Sequence, residues 1–203
     1  MRTALIAASV AIALPASATP PADLVQTFVR LCGETGGEAS AAAARAEAMG
    51  WKAPSIPLSV LAALVPGAAT ANLQARTAAQ DGRLHILLAG TITAKGQSRR
   101  SCSVAERGGG AADGFSADRQ ALQAWTGVPA MAMHDDPGLV AFAFREGPHG
   151  REPAPAGYDP LADAATPNAT VSTVVLSKVG SIVIVIYAPR ASPERLDIQA
   201  PRP

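Results

Sequence analysis

The run His134-Asp135-Asp136 places an imidazole next to two carboxylates. Such groups bind divalent metals and also act as acid–base pairs. Consecutive side chains rarely converge on one ion, and the Pro137-Gly138 pair that follows is typical of an ordinary turn. We therefore assign no catalytic residue and no metal ligand, and keep His134, Asp135 and Asp136 as the only candidate group.

The other two histidines have environments that explain them without chemistry. His85 lies in a predicted strand, on the face opposite Leu84 and Ile86, so we expect a partly solvated side chain or one at the edge of the core. His149 lies in a Gly/Pro-rich loop, where we expect it to be solvated.

Motifs for nucleophiles and nucleotides are missing from the sequence. It has no G-x-S-x-G elbow, no H-E-x-x-H pair and no S-x-x-K motif with its partners. The glycine run that begins at Gly108 lacks the Gly-Lys-Ser/Thr of a phosphate-binding loop and is typical of a flexible connection. Arg99-Arg100 follows a turn and is a candidate anion-binding spot, although charges at turns are usually just solvated. We predict no cofactor.

The chain has two cysteines, Cys32 and Cys102. In an oxidising compartment an even pair is most simply one disulfide, which would stabilise the fold by about 3–5 kcal/mol because its loop is long. Two buried thiols are the alternative. A catalytic cysteine is a third reading, but neither cysteine has a histidine near it in sequence.

The first eighteen residues have the pattern of a secretory signal peptide. Arg2 precedes an apolar run over residues 4–14, Pro15 ends that run, and Ala16-Ser17-Ala18 provides small residues for cleavage after Ala18. The run is too short for a transmembrane anchor. We expect a periplasmic or secreted protein.

Charge and composition narrow the partners. The net charge is +1 and 48% of the residues are hydrophobic, which argues against a nucleic-acid binder and against docking on anionic lipid. The excess of arginine, alanine and glycine over lysine indicates a GC-rich bacterial genome. The length suits one domain, predicted over residues 19–188, with a loosely ordered tail over residues 189–203.

Helical signals dominate the first part of this domain. Pro20-Pro21-Ala22-Asp23 is a favourable helix opening, and apolar residues at helical spacing from Leu24 to Cys32 predict a first helix that ends at Gly33. An alanine-rich helix follows from about Glu38 to Met49. Gly50 is placed as the glycine after that helix, with Trp51 folding back on its last turn. Residues 58–65 predict a further short helix, and Ser116 is placed as the cap of a helix that ends at Gly127.

Strand signals come later and in groups. Alternating and continuous apolar runs predict five strands, over 84–93, 101–105, 139–144, 171–178 and 182–187. Residues 182–186 are apolar on both faces, which predicts a central strand. Grouped strands, rather than alternating strands and helices, indicate an α+β fold: an antiparallel sheet of about five strands with the N-terminal helical hairpin and one further helix packed on it. The Cys32–Cys102 disulfide would tie the first helix to the second strand.

The opening Phe28-x-x-x-Cys32-x-x-Thr35, followed by Gly50-Trp51, resembles that of small exported proteins of alphaproteobacteria. The second cysteine in a strand after a hairpin turn fits the same resemblance, which covers the N-terminal third and Cys102. It implies export and a cysteine pair, and it implies no activity, substrate or site.

These observations favour binding over catalysis. We expect a non-enzymatic domain of the cell envelope that binds a partner, such as another envelope protein, with the loop from Gly147 to Pro167 as the contact surface. One alternative is a small periplasmic hydrolase whose site combines at least two of His85, His134 and His149 with nearby acids. The other is a structural envelope component.

Overall fold

A computed structural model of the chain describes residues 24–65, 67–94, 97–108, 112–133, 136–160 and 170–190. The predicted signal peptide, residues 1–18, lies outside the described residues, as does residue 191 onward of the predicted tail. Across the described parts the protein is a mixed α+β structure, in which helices pack on an antiparallel sheet.

The described ranges contain four α-helices, and each was predicted with different bounds. They are α1 (Leu24–Phe28), α2 (Ala39–Ala48), α3 (Leu58–Ala62) and α4 (Ala112–Thr126). A π-helical turn, Val29–Gly33, continues α1. Among the described residues no helix is long and apolar enough to cross a membrane. Helix α4 begins before Ser116, so Ser116 lies inside the helix and the prediction that it caps the helix is wrong.

Helix α2 ends as its sequence predicts. At its start, a carboxylate oxygen of Glu38 accepts hydrogen bonds from the Ala41 amide and the Ser40 hydroxyl, both at 2.7 Å. At its end, Gly50 takes a positive φ of 85°, and the Trp51 amide donates back to the Ala46 carbonyl at 3.0 Å. That last bond directs the Trp51 ring toward the sheet, where it is buried.

The sheet contains more strands than the five predicted. In chain order they are β1 (Ala68–Gln80), β2 (Arg83–Ala94), β3 (Gln97–Arg107), β4 (Met131–Ala132), β5 (Leu139–Gly147), β6 (Gly150–Pro153), β7 (Ser172–Val179) and β8 (Ile182–Ala188). Seven follow the order β1-β2-β3-β8-β7-β5-β4, and the short β6 also pairs with β5. The five predicted strands correspond to β2, β3, β5, β7 and β8, and all pairings are antiparallel.

Among the strands that the sequence analysis did not predict, β1 matters most for the candidate site. Apart from Leu73 it consists of alanine and polar residues, and the alanines and Asn72 have low strand propensity, so it carries little apolar alternation. The turn after it does carry a signal: Asp81-Gly82 joins Gln80 and Arg83, and both turn residues have positive φ (51° and 73°). Asp-Gly in a two-residue hairpin loop is typical of this geometry.

Each face of the sheet has its own core. The larger core lies between the sheet and the helices α1, α2 and α4 with the π turn, and includes Phe28, Leu31, Leu122, Phe142 and Val185. The predicted hairpin and further helix thus share one face. Helix α3 packs on the opposite face, where Leu61 and Val65 meet Ile86, Leu88 and Ile184.

Candidate functional site

The two cysteines are brought together as a pair. Cys32 is in the π turn and Cys102 is in β3; their Cα atoms are 5.5 Å apart and both side chains are fully buried. This distance is in the range that a disulfide spans, and the bond joins the helical layer to the middle of the sheet. The pair is structural, because it lies inside the larger core.

The candidate metal group is only partly visible. His134 and Asp135 lie outside the described residues. The Asp136 carboxylate accepts a hydrogen bond from the Gly138 amide at 2.8 Å, as in the turn that the sequence predicts. Within the described ranges, no group of three or more His, Cys, Asp or Glu side chains is arranged to hold a metal ion.

Arg99 is not an exposed anion site, which corrects that hypothesis. Its side chain is buried and donates to the carbonyls of Pro189 (2.6 Å), Ala188 (3.0 Å) and Val171. Burial lowers the pKa of Arg99, and interaction with Tyr158 opposes that effect. The guanidinium therefore serves to join β3 to the ends of β7 and β8.

The predicted contact loop, residues 147–167, is shorter than expected. Its first part forms the β5–β6 hairpin, with His149 exposed in the turn. Arg151 of β6 lies 4.6 Å from the ring centres of both Trp125 and Phe144 and donates to the Trp125 carbonyl at 2.7 Å. This part of the segment therefore packs against the edge of the larger core through Arg151. Residues 161–169 are outside the described ranges.

His85 is more buried than the sequence suggested. It lies on the face opposite Leu84 and Ile86, as predicted, but its side chain is only 2% exposed because Trp51 covers it, with the ring centres 6.1 Å apart. Glu106 on β3 is its cross-strand partner. The His85 Nδ1 and a Glu106 carboxylate oxygen are 3.8 Å apart, and the other oxygen accepts from Arg83 at 3.1 Å.

A groove of about 460 Å³ lies at the outer edge of β1. One wall is the extended segment 53–58, and the other is residues 73–76 of β1. Three of the five exposed large hydrophobic side chains among the described residues belong to this region: Ile56 (37% exposed), Leu58 (38%) and Val60 (58%). Ile56 and Leu58 line the groove, and Val60 does not.

Two prolines explain why the groove is open. Lys52 pairs with Thr77 through two backbone hydrogen bonds, of 2.9 and 2.8 Å. The next antiparallel position would set Pro54 opposite Ala75, but proline has no N–H to donate. The chain therefore leaves the edge of β1 after Lys52 and stays away from it as far as Pro57. The groove lies between this segment and β1. Since Ala75 is two residues from Thr77, its backbone groups point to the same edge. The Ala75 carbonyl accepts a hydrogen bond from the Arg76 guanidinium at 2.6 Å there.

The charge near the groove comes mainly from Lys52, because the basic residue in the groove wall is paired with an acid. None of the residues that line the groove is Asp or Glu. The exposed Lys52 lies at one end, and the Arg76 guanidinium, paired with Glu47, lies in the wall. We refer to this feature, formed by residues 53–58 and 73–76, as the β1 groove.

Comparison of the chain with protein-family models, curated proteins and solved structures gives no match. The functional argument therefore rests on the chain's own residues. Sequence reasoning found the cysteine pair but missed the β1 groove, because the groove requires β1; the Asp81-Gly82 turn was the signal that would have revealed that strand.

Proposed function

We propose that this chain is an exported, disulfide-stabilised binding domain of the bacterial cell envelope, and that it takes up an extended segment of a partner protein in the β1 groove. Export is supported by the signal-like residues 1–18 and by a buried cysteine pair compatible with an oxidising compartment. The observation that carries the binding proposal is the open edge of β1, beside exposed apolar side chains.

An open strand edge recognises extended chains through its backbone. A bound segment would pair with the Ala75 backbone, sharing or replacing the hydrogen bond that the Ala75 carbonyl accepts from Arg76, and would place alternate side chains against Ile56 and Leu58. Four residues of β1 line the groove, a length of about 13 Å at 3.3 Å per residue. The Lys52 ammonium at one end favours a segment with an acidic residue there.

The enzyme alternative has less support from the described residues. It requires two histidines in one pocket, whereas His85 lies under Trp51 and His149 lies in the exposed β5–β6 turn. Neither side chain lines the β1 groove.

A model peptide tests the binding proposal. The probe is an acetylated nonapeptide of alternating valine and threonine with glutamate at one end, added to ¹⁵N-labelled protein. We expect saturable amide shifts at residues 73–76 and 53–58. The same peptide N-methylated on alternate amides cannot extend the strand ladder and should produce no such shifts.

Matched variants test the wall. The double variant Ile56→Ser with Leu58→Ser should bind the peptide about five- to tenfold more weakly, because it loses on the order of 1 kcal/mol of binding free energy from apolar burial. Val60→Ser, more exposed and outside the groove, should leave binding unchanged. Equal amide shifts with the methylated peptide would refute strand addition. Shifts at the same amides that depend on protein concentration alone, without peptide, would show that the edge of β1 binds a second copy of the chain.

A further inference from the structure

Three buried polar side chains meet at the point where the wall of the β1 groove begins. Trp51, His85 and Glu106 are 3%, 2% and 7% exposed. Among the described residues only three buried side-chain polar atoms lack a hydrogen-bond partner, and two of them are here: Nε1 of Trp51 and Nδ1 of His85. Burying such atoms without partners is costly, so this cluster, which holds two of the three, is a weak point in the described interior.

Trp51 connects the cluster to the groove. Its amide donates to the last turn of α2, its ring covers His85, and the next residue, Lys52, forms the bridge to Thr77. The wall segment 53–58 leaves the sheet directly after that bridge. Any change that displaces the Trp51 ring is therefore passed to the wall through one peptide unit.

Burial, rather than the neighbouring charges taken together, opposes protonation of His85. Burial is the largest effect and lowers the pKa of His85; Glu106 and Asp81 act in the opposite direction, and Arg83 adds to the lowering. In the segment that follows α2 and carries Trp51, the charged residue next to the ring is the exposed Lys52. On β1, the residue opposite His85 is the uncharged Ala78. The Arg76–Glu47 pair lies one row away, since Arg76 faces Leu87.

The direction of the pH effect follows from these shifts. Because the folded pKa of His85 lies below the usual 6.5, its stabilising effect is complete above pH 6.5 and is lost as the pH falls through the folded pKa. Glu106 holds the protonated imidazole on the sheet side. The part that can open at low cost is the surface side, where the Lys52–Thr77 bridge joins a short segment to an edge strand.

We propose that His85 is an acid sensor for the β1 groove: a proton on its buried imidazole releases Trp51 and the Lys52–Thr77 bridge and loosens the wall formed by residues 53–58. As a regulatory device this inference rests on the proposed binding function. The loosening itself requires no ligand, so it is tested separately.

The experiment is a pH titration of ¹⁵N-labelled protein from pH 7.5 to 4.5, without peptide. We expect the Trp51 indole N–H and the Lys52 and Thr77 amides to titrate together, with a midpoint below pH 6.5. Their hydrogen-exchange protection, corrected for intrinsic exchange at each pH, should fall about tenfold per pH unit between 6.5 and that midpoint.

Variants separate His85 from a general effect of acid. His85→Gln should abolish the transition, and His149→Gln, the same change in the exposed turn, should retain it. If His85→Gln does not fold, Glu106→Gln serves instead, because loss of the attracting carboxylate should move the midpoint to lower pH. A transition that persists in His85→Gln, or unchanged Lys52 and Thr77 amides while His85 titrates, would overturn the proposal.

Adding the peptide probe then connects the two proposals. Binding at pH 7.5 that weakens in parallel with the transition supports both. A normal transition with no peptide binding at any pH would reject the binding site and leave the acid-sensitive device standing.

Discussion

The shape of the β1 groove depends on one residue in the neighbouring strand, Gly90. The β1–β2 register shifts between Ala69 and Gln74, and the bulged backbone of β1 comes close to β2 there. A Cβ at position 90 would lie 2.9 Å from the Asn72 carbonyl oxygen and 3.1 Å from the Leu73 Cα. Only a residue without a side chain permits this approach.

Gly90→Ala should therefore destabilise the protein by about 1–3 kcal/mol, as overpacking against backbone does. Gly114→Ala is the matched control: it lies in α4 with no atom within 4 Å of its Cβ position, so it should stabilise by about 0.5–1 kcal/mol through helix propensity. Urea unfolding measures both changes. Equal effects of the two substitutions would show that the bulge does not require glycine.

The conformation of a residue can be predicted from the sequence where neighbouring residues determine it. The prediction fails where a residue far away in the chain determines its environment. The Asp136 turn and the Gly50–Trp51 helix end depend on neighbouring residues, and both were predicted. The burial of His85 depends on Trp51, thirty-four residues earlier in the chain. No pattern within the strand around His85 indicates that a tryptophan covers it.

At the scale of elements, α2 offers a test of how a helix begins. The Glu38 carboxylate at its start accepts hydrogen bonds from the Ala41 amide and the Ser40 hydroxyl, and these bonds lower the pKa of Glu38. The carboxylate thus contributes stability that is fully present above pH 4.5 and is lost as the pH falls through the folded pKa. Because the side chain is exposed, the effect is modest, on the order of 0.5 kcal/mol.

Glu38→Ala should lower the free energy of unfolding at pH 7 by about that amount, and the difference from the wild type should narrow at pH 3. Glu38→Asp, which retains a capping carboxylate, should keep most of the stability. Urea titrations at both pH values give the comparison. A loss that is the same at pH 3 and pH 7 would mean that the charged carboxylate is not what caps the helix.

The elements predicted best are those with strong internal patterns. Strand β8, Ile182–Ala188, is apolar throughout and was rightly placed in the sheet interior, between β3 and β7. Strand β1 at the edge is held by its turn, by its pairing with β2 and by contacts with α3, not by its own alternation. An edge strand of this composition needs its neighbours in order to be recognised, and the groove that depends on it was missed for the same reason.

At the scale of the molecule, the disulfide is the covalent link between two layers that otherwise meet through packing and polar contacts such as Arg76–Glu47 and Arg151 to the Trp125 carbonyl. It connects residues 70 apart in sequence, from the π turn to β3. Closing a loop of that length in the unfolded chain corresponds to about 4 kcal/mol in the chain-entropy model. The grouping of helices and strands along the chain had already predicted the two layers and the link between them.

The double variant Cys32→Ala with Cys102→Ala should therefore lose about 4 kcal/mol of unfolding free energy in guanidinium titrations. Reductant should destabilise the wild type by a similar amount and leave the variant unaffected, which controls for effects of the substitution on packing. Intact mass of the exported protein, alkylated after denaturation with and without reductant, should show a chain that begins at residue 19 and has two thiols only after reduction. Thiols that react without reductant would contradict the disulfide. A mass that includes residues 1–18 would contradict cleavage of the signal peptide. Each part of the export proposal is therefore tested by its own measurement.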